Sequence, residues 1–277
     1  MILVKDPDQK YADLEKFIQA KGKNGVLIAF SGGVDSSTLA VVTHKILGKK
    51  AIAVTAQSQT YTKKELEMAK ETAKEIGIKH LTIETNEIAN EKFSNNPENR
   101  CYYCKKELLE TMLKRANELN FEAVFEGTNH SDLKDHRPGF DAVKETKNVY
   151  SPWFETGFNK NEIRELAKKF GLSAHNRLAQ PCLATRIPYN EKITAEKLNR
   201  IEAAEEMIKE LTGVKVLRVR DHNGLARIEV GKEERKLFFN TECLDKIAGN
   251  LRKLGFKYAT FDVEGYQSGS MLKTLGE

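Results

Sequence analysis

The sequence predicts an α/β fold, a doubly wound parallel sheet followed by a second, smaller α+β domain. Apolar runs at residues 26–30, 51–56, 78–83 and 122–126 alternate with helical patterns, as a parallel sheet with crossover helices requires. A stretch of weak periodicity at 174–190, containing Pro181 and Pro188, then reads as a connector. A chain of 277 residues exceeds one typical domain and fits two, which the connector divides into 1–180 and 181–277.

The first run, Val26-Leu27-Ile28-Ala29-Phe30, is a buried strand, and a helix is expected from about Ser36 to Leu47. The second crossover is the clearest helix. Thr62 and Glu65 form a capping box, Leu66, Ala69, Ala73 and Ile76 share a face, and Gly77 ends it. A fifth extended segment near 148–153 leads to a helix over 161–170, closed by Gly171. In such a sheet ligands collect beyond the carboxyl ends of the strands, where Ser31, Gly127 and the residues after Ala56 lie. In the second domain Thr194 caps a long helix with Leu198, Ile201, Ile208 and Leu211 inward. Alternating segments 214–220 and 225–230 follow, joined through Asn223-Gly224, and a strand near 256–263 completes the domain.

Composition narrows the function classes. The chain is 40% hydrophobic and 31% charged, the balance of a soluble globular protein. Its net charge of +5 comes from 45 basic and 40 acidic side chains without a long Lys/Arg block, so an extended nucleic-acid surface is not expected. The apolar N-terminus is too short for a signal peptide and no run reaches transmembrane length, so a cytoplasmic location is expected. In that compartment the 4 cysteines read as thiols, metal ligands or catalysts rather than disulfides.

The residues Ser31-Gly32-Gly33-Val34-Asp35-Ser36 join strand to helix. Two glycines permit a tight turn and leave backbone N–H groups open to an anion, and the helix start aims further donors and its positive dipole end at the same place. A phosphate suits this position. No Lys-Ser or Lys-Thr pair closes the turn, which excludes a Walker A loop.

Cys101 and Cys104 form a CxxC at the entry to a helix, Cys182 lies in the connector, and Cys243 shares an apolar helical face with Ile247, as a core thiol would. A lone CxxC is compatible with a zinc half-site, a redox pair or iron–sulfur ligation. No second CxxC or His pair completes a structural zinc site. Three thiolates could hold a cubane cluster while leaving one iron without a protein ligand.

The SGGxDS run resembles the loop of the ATP pyrophosphatases, which split ATP between its α- and β-phosphates. That resemblance implies an adenine nucleotide alpha hydrolase-like fold in which Ser31, Gly32, Gly33, Ser36 and Ser37 hold the departing pyrophosphate, with Gly127 nearby. Asp35 then places Mg²⁺ or orients the loop. A wider set of segments is similar to the LarE family of ATP-dependent sulfur transferases of nickel-pincer cofactor synthesis. They are Arg100-Cys101-Tyr102-Tyr103-Cys104, Glu126-Gly127-Thr128-Asn129, Asp135-His136-Arg137-Pro138-Gly139, Pro181-Cys182-Leu183-Ala184-Thr185-Arg186-Ile187-Pro188-Tyr189, Arg218-Val219-Arg220-Asp221-His222 and Gly265-Tyr266-Gln267-Ser268-Gly269-Ser270.

This family resemblance implies adenylation of a carboxylate of pyridinium-3,5-biscarboxylic acid mononucleotide, followed by displacement of AMP by a sulfur nucleophile. One branch of the family sacrifices the cysteine matching Cys182 and lacks the CxxC. The present chain is similar to the other branch, in which Cys101, Cys104 and Cys182 hold a [4Fe-4S] cluster and sulfide comes from outside. Arg218 and Arg220 are then the substrate-phosphate ligands, and Arg186 meets the triphosphate or the acyl-adenylate. A homo-oligomer is also implied. Asp132, Asp135 and Arg137 resemble a loop bordering the active site, although His130-Ser131-Asp132 departs from the acidic pair expected after Asn129.

His130, His136 and His222 read as surface histidines, and Tyr102, Tyr103 and Trp153 as core or pocket wall. Competing readings are a tRNA thiolase with the same chemistry, an ATP-dependent amidating enzyme, and a non-catalytic nucleotide or redox sensor.

Overall fold

The computed structural model describes residues 6–134, 138–177 and 181–275. The chain divides into two compact units, one formed by residues 1–87 and 101–180, the other by 88–100 and 181–277. Ten α-helices are assigned among the described residues: α1 (Pro7–Lys21), α2 (Val34–Leu47), α3 (Lys63–Ile76), α4 (Glu91–Ser94), α5 (Arg100–Glu118), α6 (Pro138–Glu145), α7 (Pro152–Glu155), α8 (Lys160–Lys169), α9 (Ala195–Thr212) and α10 (Thr241–Lys253).

The first unit holds the expected parallel sheet. Strands β1 (Val26–Ala29), β2 (Ala51–Gln57), β3 (Lys79–Glu84), β4 (Ala123–Phe125) and β5 (Val149–Tyr150) lie in the order β3-β2-β1-β4-β5, every pairing parallel. Val26, Leu27 and Ile28 are fully buried because β1 is central and covered on both faces. Alternation sends Ile28 into one core with Leu14, Ile18, Leu39, Val42, Ala69, Ala73 and Ile163, and Leu27 into another with Leu109, Met112, Ala116 and Val143. Helices α1, α2, α3 and α8 thus cover one face, and α5 and α6 the other. The strand order reverses between β1 and β4, so the loops after these strands open side by side at a topological switch point.

The expected caps form. Thr62 accepts from Glu65 N–H at 3.1 Å while the Glu65 carboxylate accepts from Thr62 N–H at 2.7 Å, and Gly77 closes α3 at φ 76°. Helix α1 has no counterpart in the sequence reading. It buries Leu14 and Ile18, four residues apart, beneath an otherwise charged surface.

Within the sheet, Thr55 donates to Phe30 O at 2.7 Å, and His80 Nε2 lies 2.7 Å from the same hydroxyl. Burial, with Lys70 adding to it, holds the His80 imidazole below its ordinary value of 6.5. The folded state then binds fewer protons than the unfolded chain below about pH 6.5, so the contribution is present above that pH and lost as the pH falls. His80→Gln is therefore expected to flatten the decline of the urea midpoint between about pH 7.5 and 5.5 relative to wild type. An unchanged decline would assign it to other groups, His222 first, whose imidazole is held down by burial and Arg227.

In the second unit β6 (Leu217–His222) and β7 (Leu225–Val230) form an antiparallel hairpin, and β8 (Tyr258–Phe261) runs parallel to β7. The hairpin turn takes Asn223 to φ 49° and Gly224 to φ 93°, the left-handed pair that a two-residue loop requires. Thr194 caps α9, accepting from Lys197 N–H at 3.2 Å. Leu198, Ile201 and Ile208 point inward, but Leu211 is 43% exposed because the apolar stripe ends before the last turn. Cys243 is half-buried against the core of α9, α10 and the small sheet.

Residues 88–100 join this unit through Ile193 N–H to Ser94 O at 2.7 Å and Asn190 N–H to Asn96 O at 2.9 Å. Asn96 Nδ2 adds donations to the carbonyls of Ile187 and Pro188. No helix among the described residues is long and apolar enough to cross a membrane.

Candidate active site

The β1–α2 loop is held from inside. Ser36 Oγ lies 3.2 Å from both the N–H and Oγ of Ser31 and 3.2 Å from Gly33 O, and Gly33 N–H reaches Ser31 Oγ at 3.3 Å. The first intrahelical bond runs from Ser37 N–H to Gly33 O at 2.9 Å, so the N–H groups of Val34, Asp35 and Ser36 have no partner within α2. Gly32 sits at φ 71°, where a Cβ would stand 2.9 Å from the Cα of Ala69, so no side chain fits between loop and α3. Ser37 differs from its neighbours: it is fully buried, and its Oγ has no hydrogen-bond partner.

Gly127, after β4, meets the same loop. A Cβ there would stand 3.3 Å from Asp35 Cβ and 3.4 Å from Ser36 N. Asp35 is surrounded by α8 and the β4 loop: its carboxylate pairs with Lys160 Nζ, accepts from Asn129 Nδ2 at 3.4 Å, and its carbonyl accepts from Trp153 Nε1 at 3.1 Å. Burial pushes the Asp35 carboxyl up, Lys160 opposes that, and Asp132 adds to it. Arg177 supports the loop from the other side, donating to Gly32 O at 2.6 Å and Thr72 Oγ1 at 2.7 Å.

Glu126 is buried where β4 ends, yet its carboxyl lies below the usual range. Burial raises it, and Lys105 at 2.9 Å, with Ser151 and Thr128 hydroxyls donating, more than offsets the burial. Lys105 directly follows Cys104, so this partly buried pair ties the CxxC helix to the carboxyl end of β4.

In the second unit the predicted arginines have unequal surroundings. Arg220, 4% exposed, donates Nε and Nη2 to Glu229 at 3.0 and 2.6 Å, Nη2 also to Ser270 Oγ at 3.2 Å, and Nη1 to Thr185 O at 3.0 Å. Arg186, also 4% exposed, grips Glu205 at 2.9 and 3.1 Å. Its Nη1 donates to the carbonyls of Pro181 at 2.5 Å and Cys182 at 3.0 Å, a brace for the loop that carries Cys182. Arg218 is half-buried over the Tyr266 ring at 5.1 Å, and its described hydrogen bond is to Leu217 O. Burial and then Arg186 press its guanidinium below its ordinary value, Glu205 opposing.

Cys101 is exposed and Cys104 half-buried in the first turns of α5, with Cys104 Sγ 3.8 Å from Glu87 Oε1. Both belong to the first unit, while Cys182, half-buried, belongs to the second. Among the described residues no three His, Cys, Asp or Glu side chains are gathered to hold a metal ion. Two thiols one turn apart fit part of a cluster's ligand set and do not complete one. Asp135, His136 and Arg137 lie outside the described residues. Asp132 accepts from Asn129 N–H at 3.1 Å, which closes the loop after β4.

Lys160, Arg177, Lys105 and Glu126 were absent from the predicted site residues. The signal for Lys160 was its place opening a helix on the carboxyl side of the sheet. For Glu126 it was a carboxylate ending an otherwise apolar strand.

The NAD synthase family model matches residues 8–118. The chain is 43% identical over 249 residues to "Uncharacterized protein slr1717" of Synechocystis, across 90% of this chain and 92% of that one. It is 33% identical over 253 residues to the pyridinium-3,5-bisthiocarboxylic acid mononucleotide synthase of Lactiplantibacillus plantarum, across 90% of each chain. It is 32% identical over 261 residues to "Uncharacterized protein MJ0830" of Methanocaldococcus jannaschii, across 94% of this chain and 98% of that one.

Proposed function

The chain belongs to the LarE-like family of ATP pyrophosphatases, enzymes of ATP-dependent adenylylation, and on that premise we propose that it converts carboxylates of pyridinium-3,5-biscarboxylic acid mononucleotide to thiocarboxylates. A carboxylate is a poor electrophile with no usable leaving group. Attack of its oxygen on the α-phosphorus of ATP breaks the α–β bridge and releases pyrophosphate, leaving an acyl-adenylate. Hydrosulfide then adds to the acyl carbon, the bond to AMP breaks, and a proton is released with the thiocarboxylate.

The chain's own groups divide this work. Ser31, the N–H groups from Gly32 to Ser36, and Lys160 stabilise charge on the departing pyrophosphate. Asp35, beside them, is the carboxylate for Mg²⁺. Arg218 receives the substrate phosphate, while Arg186 and Arg220 hold the walls. Cys101, Cys104 and Cys182 are the proposed ligands of a [4Fe-4S] cluster, which would supply sulfide for the displacement. On this reading the enzyme acts in the cytoplasm, as a homo-oligomer, on a small nucleotide.

The observation that carries the substrate reading is the contrast among the arginines: Arg186 and Arg220 are matched by buried glutamates, while the described hydrogen bond of Arg218 is to the carbonyl of Leu217 beside it. The test is anaerobic AMP release with ATP, Mg²⁺ and sulfide, comparing the biscarboxylate mononucleotide with bulk tRNA and weighing the product for replacement of oxygen by sulfur. A mononucleotide-dependent burst with a heavier product is expected. Stimulation by tRNA alone, with sulfur entering tRNA, would overturn the substrate assignment. Reconstituted protein without iron or acid-labile sulfide would overturn the cluster assignment.

A further inference from the structure

Arg100 opens α5 and belongs to the second unit, and nothing assigned so far uses its side chain. It is 4% exposed, as buried as Arg186 and Arg220, yet Nε and Nη1 are sealed from solvent without a hydrogen-bond partner. Its described contact is a face-on approach to the Tyr189 ring, 4.5 Å from the centroid. A guanidinium keeps its charge, and an unpaired buried charge is among the costliest features a fold can carry. The same unit answers this at Arg186 with Glu205 and at Arg220 with Glu229. Arg100 is the exception, and by that internal comparison the missing partner is a carboxylate.

The place is rigid. Asn96 Nδ2 donates to the carbonyls of Ile187 and Pro188 at 3.3 and 2.6 Å, which fixes the chain entering Tyr189 and leaves Asn96 Oδ1 as a third buried atom without a partner. Tyr189 continues the loop that carries Cys182.

We propose that Arg100 is a substrate-binding residue that takes a ring carboxylate of the substrate through two of its N–H groups, with Tyr189 supporting the guanidinium from its face. The proposal rests on the substrate reading above. It divides the substrate's anionic groups in the second unit, phosphate to Arg218 and carboxylate to Arg100, and so selects for a nucleotide that carries both.

Two probes separate these groups, pyridine-3,5-dicarboxylate, which has no phosphate, and ribose 5-phosphate, which has no ring carboxylate. Binding of each is measured by calorimetry on full-length wild type, Arg100→Gln and Arg218→Gln. Loss of a two-point charged contact is expected to weaken dicarboxylate binding to Arg100→Gln by about tenfold or more, with ribose 5-phosphate unchanged. Arg218→Gln should show the reverse. If Arg100→Gln fails to fold by circular dichroism, Arg100→Lys, which keeps the charge without the fork, should show the same selective weakening.

Equal dicarboxylate binding by the folded variant and wild type would overturn the proposal, as would no dicarboxylate binding by wild type. Mononucleotide-dependent AMP release in wild type, run in parallel, separates the two failures. If it persists, only the role of Arg100 falls; if it is absent, the substrate reading itself falls.

Discussion

Lys160→Met is expected to lower mononucleotide-dependent AMP formation by about 10²–10³-fold, the range for removing one preorganised group from a developing charge. The ammonium at the start of α8 pairs with Asp35 in the first turn of α2, beside the N–H groups after Gly33. On the proposed reading Asp35 would hold Mg²⁺, and the Lys160 charge beside it would serve the departing pyrophosphate. The variant carries a second signature. Lys160 opposes the upward push of burial on Asp35, so without it the carboxyl moves further up. The acidic limb of the kcat/KM profile, which reports the free enzyme in which the pair is intact, should therefore shift to higher pH. The pair is partly exposed, with side chains 33% and 25% accessible, so the melting temperature should change little. An unaltered rate with an unaltered profile would remove Lys160 from the chemistry.

Why Lys160 escapes a reading of the sequence while Ser31 does not is a matter of range. The strand, two glycines, serine and helix start are contiguous, and each local preference agrees with the phosphate cradle they form. The parallel sheet is equally legible, because Val26–Ala29 and residues 51–54 are apolar on both faces, as covered parallel strands must be. Lys160 gains meaning only from Asp35, 125 positions away. A charged residue opening a helix otherwise reads as solvated.

The arginines show the same limit from the other side. Arg218 and Arg220 are equivalent by strand alternation, and only tertiary pairing with Glu229 separates them. Arg186 sits four residues after Cys182 and suggests an anion ligand, but Glu205 on α9 engages it. Residues 88–100 carry no pattern that announces their packing with the second unit. Their attachment is made by backbone groups of Ser94 and Asn96, which any side chain could supply.

Arg218→Ala and Arg220→Ala should therefore fail differently. Arg220→Ala removes both charged contacts to Glu229, a carboxylate with no exposure, and the donations to the carbonyl of Thr185 and to Ser270 Oγ, which keeps its own hydrogen bond to Glu229. Breaking a buried pair from one side costs about 3–5 kcal/mol, a large part of a domain's stability. Arg227, 3.1 Å from the other Glu229 oxygen, recovers only part of it. The expected result is a fall in the urea midpoint, with activity lost alongside folded protein. Arg218→Ala removes a guanidinium whose described hydrogen bond is to a carbonyl beside it, so the fold should hold. Its cost appears when the phosphate arrives: a lost charged hydrogen bond of about 1.5–3 kcal/mol raises the mononucleotide KM roughly ten- to a hundredfold, with the ATP KM unchanged. Urea titration and steady-state kinetics on both variants decide it. If Arg220→Ala proved as stable as wild type and raised the mononucleotide KM alone, the two arginines would share the phosphate after all, and Glu229 would have to release its partner on binding.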